Sequence, residues 1–518
     1  MRSEDIKKIK EFPKVDIDFN VKFEPLKKVQ DKTTVNTRYC LIKPFAFAHI
    51  YWSEKDLELV YDIEEPYLNE EEKKQRDELS SAMREAINFD VYVERDQEKL
   101  LEYLDKMAKV IAIELGLIFS YATYRKIYYY LCRDFVGFNQ TEPLLRDYFV
   151  EDIECNGANS PVYIVHRAYR NLKTNLIFED MDELSSFVEK LAQRSGKYIS
   201  YAEPILDTSL PDGSRVNATY TKDITSKGPT FTIRKFTKTP WTPSQLLSFG
   251  SLSPEMFAYL WILVENKMNI LIAGGTGSGK TSLLNAIGFF IPPEARVVTI
   301  EDTRELNLPR ENWLPGVIRP STQGEEGGID LFDLLKASFR QNPDYVIVGE
   351  IRGKEAYVLF QGMASGHSSI GTIHADSVDT VIKRLETPPI ELSPTLLNVL
   401  DCVCIMTHAV IEKQSLRKLK EIVEIIDVDA NGIAKTNTPY VWNPSDNQFY
   451  FKKGSYIFEK ISKRTGMRIE ELEMEFNRRA KILHILSQNK IFNSKDVQET
   501  ILNYYKKPKE VLRRMGIE

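Results

Sequence analysis

The sequence predicts an α/β protein in which a parallel sheet carrying a phosphate-binding loop follows an α+β segment and a largely helical amino-terminal region. Three observations predict it. A short apolar run, Asn269-Ile-Leu-Ile-Ala273, leads into Gly274-Gly-Thr-Gly-Ser-Gly-Lys-Thr281, which satisfies GxxxxGK[ST] at every fixed position. From there to about residue 410, apolar strand-like runs alternate with helical patterns, as in a parallel sheet with crossover helices. Ahead of the loop, Thr237-Lys-Thr-Pro-Trp-Thr-Pro243 carries two closely spaced prolines and reads as a semi-rigid linker. At 518 residues the chain is too long for one core. Domains are expected at 1–145, 146–237 and 245–455, with the linker at 238–244 and a helical carboxy-terminal segment at 456–518.

In chain order, Leu100, Leu104, Met107, Ile111, Leu115 and Ile118 keep spacings of three and four, which predicts an amphipathic helix. The tyrosine-rich run Tyr124–Tyr130 is expected to be a half-polar buried helix face; base stacking on its rings is the alternative. The acidic run Glu64–Glu72 is expected to be a solvated helix start or loop. In the second region a helix is expected near Asp182–Ser195. Pro211-Asp-Gly-Ser214, between Ile205-Leu206 and the alternating Val216–Tyr220, predicts a hairpin. Thr230–Phe236 reads as another strand. Past the loop, Ser282–Phe290 reads as a helix, and Arg296–Ile300 and Tyr345–Val348 read as strands. Ile469, Leu472, Phe476, Ala480 and Leu483 keep helical spacing in the tail. A last helix is expected from Ser494 to just before Pro508.

Composition excludes several classes. Sixty-nine basic against 75 acidic residues give a net charge of -6, which argues against a protein that coats nucleic acid. The cysteines Cys40, Cys132, Cys155, Cys402 and Cys404 form no CxxC pair, so reduced thiols are expected rather than a zinc site. Cys402 and Cys404 suit a buried strand. The start, MRSEDIKKIKEF, lacks an apolar core of the signal-peptide type. No run reaches about 18 uncharged apolar residues. A soluble cytoplasmic chain with only peripheral membrane contact is expected.

The loop carries the chemistry. Its glycines let backbone amides turn inward around phosphates. Gly275, Thr276, Gly277, Ser278, Gly279, Lys280, Thr281 and Ser282 are the expected nucleotide contacts. Lys280 places a compact charge near the β- and γ-phosphates, and the Thr281 hydroxyl is a natural Mg²⁺ ligand. Glu301 and Glu350 end two predicted strands, at the edge where ligands sit in open α/β sheets. Glu350 is assigned to the metal shell and Glu301 to activation of water. His367 and His374 bracket a predicted strand, and their odd separation puts them on opposite faces; a γ-phosphate or state-sensing role is expected. Arg215, in Asp212-Gly-Ser-Arg-Val-Asn217, and Arg234, in Phe231-Thr-Ile-Arg-Lys-Phe236, could neutralise phosphate charge from a separate domain or simply form strand-face salt bridges. The loop alone does not separate ATP from GTP. A nucleic-acid translocase, a non-catalytic nucleotide-dependent scaffold and a small-molecule kinase remain alternatives.

Four segments occur in a telling order: the phosphate loop, Thr299-Ile-Glu-Asp302, Phe339-Arg-Gln-Asn-Pro-Asp-Tyr-Val-Ile-Val-Gly-Glu-Ile-Arg352 and Gly366-His-Ser-Ser-Ile-Gly-Thr-Ile-His374. They resemble the Walker A, Asp box, Walker B and His box of the type II/IV secretion ATPase superfamily. Ser214-Arg-Val-Asn217 and Thr232-Ile-Arg-Lys235 resemble its preceding N-terminal domain, so the likeness covers roughly residues 145 to 410. The chain looks most like the archaeal branch, whose members drive archaellum rotation and assembly or assemble type IV-like pili. The long amino-terminal region without a tetracysteine zinc module departs from bacterial type II secretion ATPases. The resemblance implies a RecA-like P-loop ATPase domain behind a PAS-like N-domain, with ATP and Mg²⁺ in the cleft between them. It also implies a homo-hexameric ring peripherally associated with the inner face of the membrane. The implied partners are a polytopic membrane platform protein and, for the archaellum, a RecA-like regulatory protein.

Overall fold

Strand pairing sorts the chain into two compact units, Met1–Phe236 and Thr237–Glu518. The computed structural model describes residues 12, 15–21, 23, 26, 31–86, 97–236, 239–319, 328–411, 414–452 and 454–517.

The first unit is organised by nine strands: β1 (Asn36–Ile42), β2 (Ala46–Ser53), β3 (Glu58–Glu64), β4 (Val150–Cys155), β5 (Pro161–His166), β6 (Arg170–Ile177), β7 (Ile205–Ser209), β8 (Arg215–Thr219) and β9 (Thr230–Arg234). They form one sheet in the order β1-β2-β3-β6-β5-β4-β9-β8-β7. The amino-terminal region, expected to be largely helical or mixed, is mixed: three strands precede its long helices. In β2, Ala46, Ala48 and Ile50 are buried at alternate positions, the period of a half-buried strand. β3 then pairs in parallel with β6, Val60 opposite Lys173 and Tyr61 opposite Thr174. The sheet therefore crosses the expected boundary at residue 145. A buried acid fastens the junction: Tyr39 and Tyr61 donate to Asp147 Oδ2 at 2.6 and 2.7 Å.

Three long helices accompany these strands: Glu70–Ala86, Gln97–Glu114 and Tyr121–Leu131. The second ends four residues short of the predicted apolar stripe, because Gly116 takes φ +69°, a left-handed stop. Leu115 and Ile118 lie outside that helix, 39% and 88% exposed. The tyrosine run is core, as expected. Tyr124, Tyr128 and Tyr129 are buried, and Tyr129 donates to Glu65 Oε1 at 2.6 Å. The acidic run is only partly solvated: Glu72 is buried and accepts from Lys126 Nζ at 2.9 Å. The Asp-Gly hairpin joins β7 to β8 with Ser209 opposite Arg215.

The second unit has strands β10 (Ile270–Gly274), β11 (Val297–Glu301), β12 (Trp313–Val317), β13 (Tyr345–Ile351), β14 (Ser368–Ile373), β15 (Cys402–Ile411), β16 (Gln414–Val428), β17 (Ala434–Asn443) and β18 (Gln448–Phe451). Their order is β12-β11-β13-β14-β10-β15-β16-β17-β18. β10 to β15 pair in parallel and β15 to β18 antiparallel. The parallel strands are apolar throughout because both faces are covered. Ile270, Ile272, Cys402 and Cys404 face the helices Pro254–Glu265 and Lys280–Gly288 and the carboxy-terminal helices. Leu271, Ala273 and Val403 face Glu355–Ala364 and Val378–Glu386.

Thr237 and Lys238 of the expected linker lie outside the described residues. Its second half is a capped helix start, with Gln245 N–H donating to Thr242 Oγ1 and Thr242 N–H to Gln245 Oε1. Ser244 Oγ donates to Ile491 O at 2.6 Å, which docks this start on the carboxy-terminal segment. The helix Ser494–Lys506 stops before Pro508 as expected, but its cap is Asn493. No helix among the described residues is long and apolar enough to cross a membrane.

Candidate nucleotide site

β10 lies between β14 and β15, and the loop leaves its carboxyl end. A Cβ at Gly274 would come within 2.5 Å of Ser278 Oγ and 2.6 Å of Met406 O, so only glycine fits there. Gly279 takes φ +97° as the residue before the helix Lys280–Gly288. That left-handed step turns the following amides toward an anion, at the positive end of the helix. Ser278 Oγ donates to Gly275 O at 2.8 Å. Lys280 is buried, and its Nζ donates to Gly274 O at 3.0 Å and Gly275 O at 2.9 Å. Burial pulls its pKa below the usual lysine value, opposed by Glu350 and Glu305.

The parallel sheet brings the strand-end acids to the same edge. Register slips between Val348 and Ile351 where β13 meets β14, and this bulge leaves Glu350 half-buried beside a strand otherwise buried. His374, just past β14, lies with Nε2 3.1 Å from Glu350 Oε1. Burial and then Lys280 lower the His374 pKa, so near neutral pH a neutral imidazole donates this bond. Arg352 holds the other Glu350 oxygen and reaches Asp302 Oδ2 at 3.1 Å. Burial works against the Glu350 carboxylate, but Arg352 and Lys280 outweigh it and keep its pKa below the usual range.

Two residues depart from expectation. Glu301 is 2% exposed, and its Oε1 accepts from the Glu305 and Leu306 amides at 2.9 and 2.8 Å. It shapes its own turn rather than facing the loop. The acid beside the loop is Glu305, whose Oε2 accepts from Thr281 Oγ1 at 2.9 Å. Sequence reading passed over Glu305 because it lies four residues past the strand end; a second glutamate in the turn Glu301-Asp-Thr-Arg-Glu305 was the available signal. His367 stands at the amino end of β14, its ring centroid 4.9 Å from that of Phe339. The strand between the two histidines separates them by about 20 Å, so only His374 joins the loop.

Arg215 and Arg234 belong to the first unit, where each is ion-paired. Arg215 donates to Asp207 at 3.0 and 2.8 Å, and Arg234 lies 3.3 Å from Asp152. They are directly opposite each other on β8 and β9, hence on one face of the sheet.

The described residues contain no group of three or more His, Cys, Asp or Glu able to hold a metal alone. The Thr281 hydroxyl with Glu305 and Glu350 is an all-oxygen set of one hydroxyl and two carboxylates. That suits Mg²⁺, which keeps waters and takes phosphate oxygens as ligands.

Burial pushes the Glu301 carboxyl from its ordinary 4.5 up to about 7, against the two amides that favour its charge. An acid whose pKa rises on folding takes up a proton as the chain folds. Its contribution to stability is therefore lost as pH rises from the unfolded value through about 7, a loss of about 3 kcal/mol. Glu301→Gln should gain on the parent between pH 5 and pH 8. Melting curves of both proteins at the two pH values should show a differential of roughly 5–10 °C; identical pH profiles would contradict the burial account.

A family model described as "Type II/IV secretion system protein" matches residues 137–440. An uncharacterized protein of Methanocaldococcus jannaschii is 39% identical over 394 residues, which cover 75% of this chain and 71% of that relative. The type IV secretion system protein PtlH of Bordetella pertussis is 34% identical over 227 residues, covering 40% of this chain and 67% of PtlH. Among solved structures, the VirB11 ATPase from the Brucella suis type IV secretion system, in complex with sulphate, is similar at 26% identity. That match covers 54% of this chain and 90% of the other, with a TM-score of 0.28.

Proposed function

Because the chain belongs to the type II/IV secretion system protein family, we propose that it is a motor ATPase that powers assembly or rotation of a type IV pilus-like filament, or secretion. The observation that carries this reading is one edge of one sheet. There Lys280 is folded into the phosphate loop, Thr281 meets Glu305, and Glu350 meets His374. A binding loop alone needs no such acids; hydrolysis needs a group at the metal and a group at the water.

In this reading the loop amides and Lys280 hold the β- and γ-phosphates of ATP. Thr281 and Glu350 would hold Mg²⁺, which would supply charge neutralisation. Glu305 orients the attacking water, a role moved from Glu301, which instead positions the Glu305 amide. The neutral His374 donates its hydrogen bond to the γ-phosphate when one is bound and to Glu350 when none is, and so reports the nucleotide state. Arg215 and Arg234, sharing one sheet face, form the pair of cations that neutralises the transferred phosphate. The same proposal includes a homo-hexameric ring with archaellum-type or pilus-type partners, a membrane platform protein and a RecA-like regulator.

Purified protein should release phosphate from ATP only with Mg²⁺ and without stimulation by DNA or RNA. Nucleotide binding without turnover would replace the motor by a scaffold. DNA-stimulated turnover with steep salt dependence would replace it by a translocase.

A further inference from the structure

The hairpin of β15 and β16 outgrows the strand that carries the phosphate loop. β10 pairs with β15 from Ile270 opposite Cys402 to Gly274 opposite Met406, and then turns away into the loop. β15 and β16 continue to pair beyond that point, from Thr407 opposite Lys418 to Ile411 opposite Gln414. At about 3.4 Å per residue the hairpin runs some 17 Å past the sheet edge, alongside the loop.

Its root touches the loop at the residue that shapes the anion cradle. A Cβ on Gly279 would lie 3.4 Å from Met406 Cε, 3.5 Å from Arg417 Cδ and 3.7 Å from Arg417 Cβ. The arginine stem therefore lies along the left-handed residue that starts the helix Lys280–Gly288. We propose that Arg417 is a nucleotide-binding residue, its guanidinium contacting the α- or β-phosphate of the bound nucleotide. The proposal rests on the reading of residues 274–281 as a phosphate loop.

Strand order decides which phosphate. β14 and β13, with His374 and Glu350, lie on one side of β10, and β15 and β16 lie on the other. The terminal phosphate faces the acids and His374, so a cation on the opposite flank meets the phosphates nearer the nucleoside. Past Cδ the guanidinium extends only a few ångströms more, and its planar fork suits phosphate oxygens. A strand carries it, not a loop, so the contact is pre-organised. His408 lies opposite Arg417 in register. A nucleotide held by Arg417 is thereby coupled to the hairpin as well as to the loop. Because ADP keeps both inner phosphates, Arg417 serves ATP and ADP alike.

Arg417→Met keeps the stem against Gly279 and removes the charge; Arg417→Gln is the second variant, should the first fold poorly. Binding of ATP and of ADP is measured by competition against a fluorescent ADP analogue. Both dissociation constants should rise together, about tenfold in either variant, and Arg417→Lys should recover part of the loss. ADP affinity within twofold of the parent in the folded variants overturns the proposal, as does a loss confined to ATP. A parent that binds neither nucleotide would instead remove the phosphate-loop reading beneath it.

Discussion

Replacing Lys280 by alanine should lower kcat/KM for ATP by at least about a thousandfold, which is about 4 kcal/mol of lost transition-state stabilisation. The expected size follows from where the ammonium sits. Its two bonds to Gly274 O and Gly275 O, at 3.0 and 2.9 Å, hold a full charge inside the loop before any phosphate arrives. One pre-organised neutral donor at a developing charge already contributes a factor of about 10² to 10³, and a buried cation contributes more. Lys280→Arg should fail nearly as badly, because a planar fork cannot replace a compact group bridging two carbonyls. Stability should hardly change. Burial already disfavours the charged lysine, and the loop carbonyls it leaves can take water. Phosphate release under single-turnover conditions, read beside melting curves, separates the two effects. Turnover that survives the alanine would place the nucleotide elsewhere.

The parts legible in the sequence are those dictated by backbone. Glycines at 274 and 279 announce a loop that no other residue can make, and the flanking apolar runs announce its strand and helix. Strand ends were legible too, since the edge of a parallel sheet follows from strand direction. What tertiary packing decides was not. Glu301 and Glu305 occupy one short turn, and only the packing of that turn shows that the first caps amides while the second meets Thr281. Parity along β14 puts His367 and His374 on opposite faces, but the length of a straight strand is what removes His367 from the loop. Arg215 and Arg234 each had a visible motif; their cross-strand pairing depends on a register that no local pattern states. β1 to β3 were not singled out within a region read as helical or mixed, because their signal is short and their parallel partner β6 lies more than a hundred residues away. Arg417 carried no motif, since its meaning comes from a neighbouring strand.

The second large effect concerns the carboxy-terminal helices. Arg479→Ala should cost about 3–5 kcal/mol, the range for breaking a buried pair by removing one partner. Arg479, in the helix Ile469–Gln488, has a side chain only 4% exposed. It reaches Glu265 of the helix Pro254–Glu265 at 2.5 Å and Glu475 one turn earlier at 3.0 Å. Its guanidinium also lies over Trp261 at 4.9 Å and close to Tyr504 and Tyr505 at 5.9 and 6.0 Å. Burial opposes the charge, yet Glu265 and the surrounding groups more than compensate and raise its pKa. Removing the arginine takes the buried cation from Glu265, leaves Glu475 to the Tyr504 hydroxyl and Arg478, and opens a void among three rings. The melting temperature should fall by roughly 8–15 °C. Arg479→Lys should recover only the charge and not the stacking, and so fall between. Arg479→Ala with Glu475→Ala should cost less than the sum of the singles, because each single change already breaks the pair between them. Strict additivity would mean that the helices are held by apolar packing alone. In that case the carboxy-terminal segment would dock on the sheet without the charge that now selects its position.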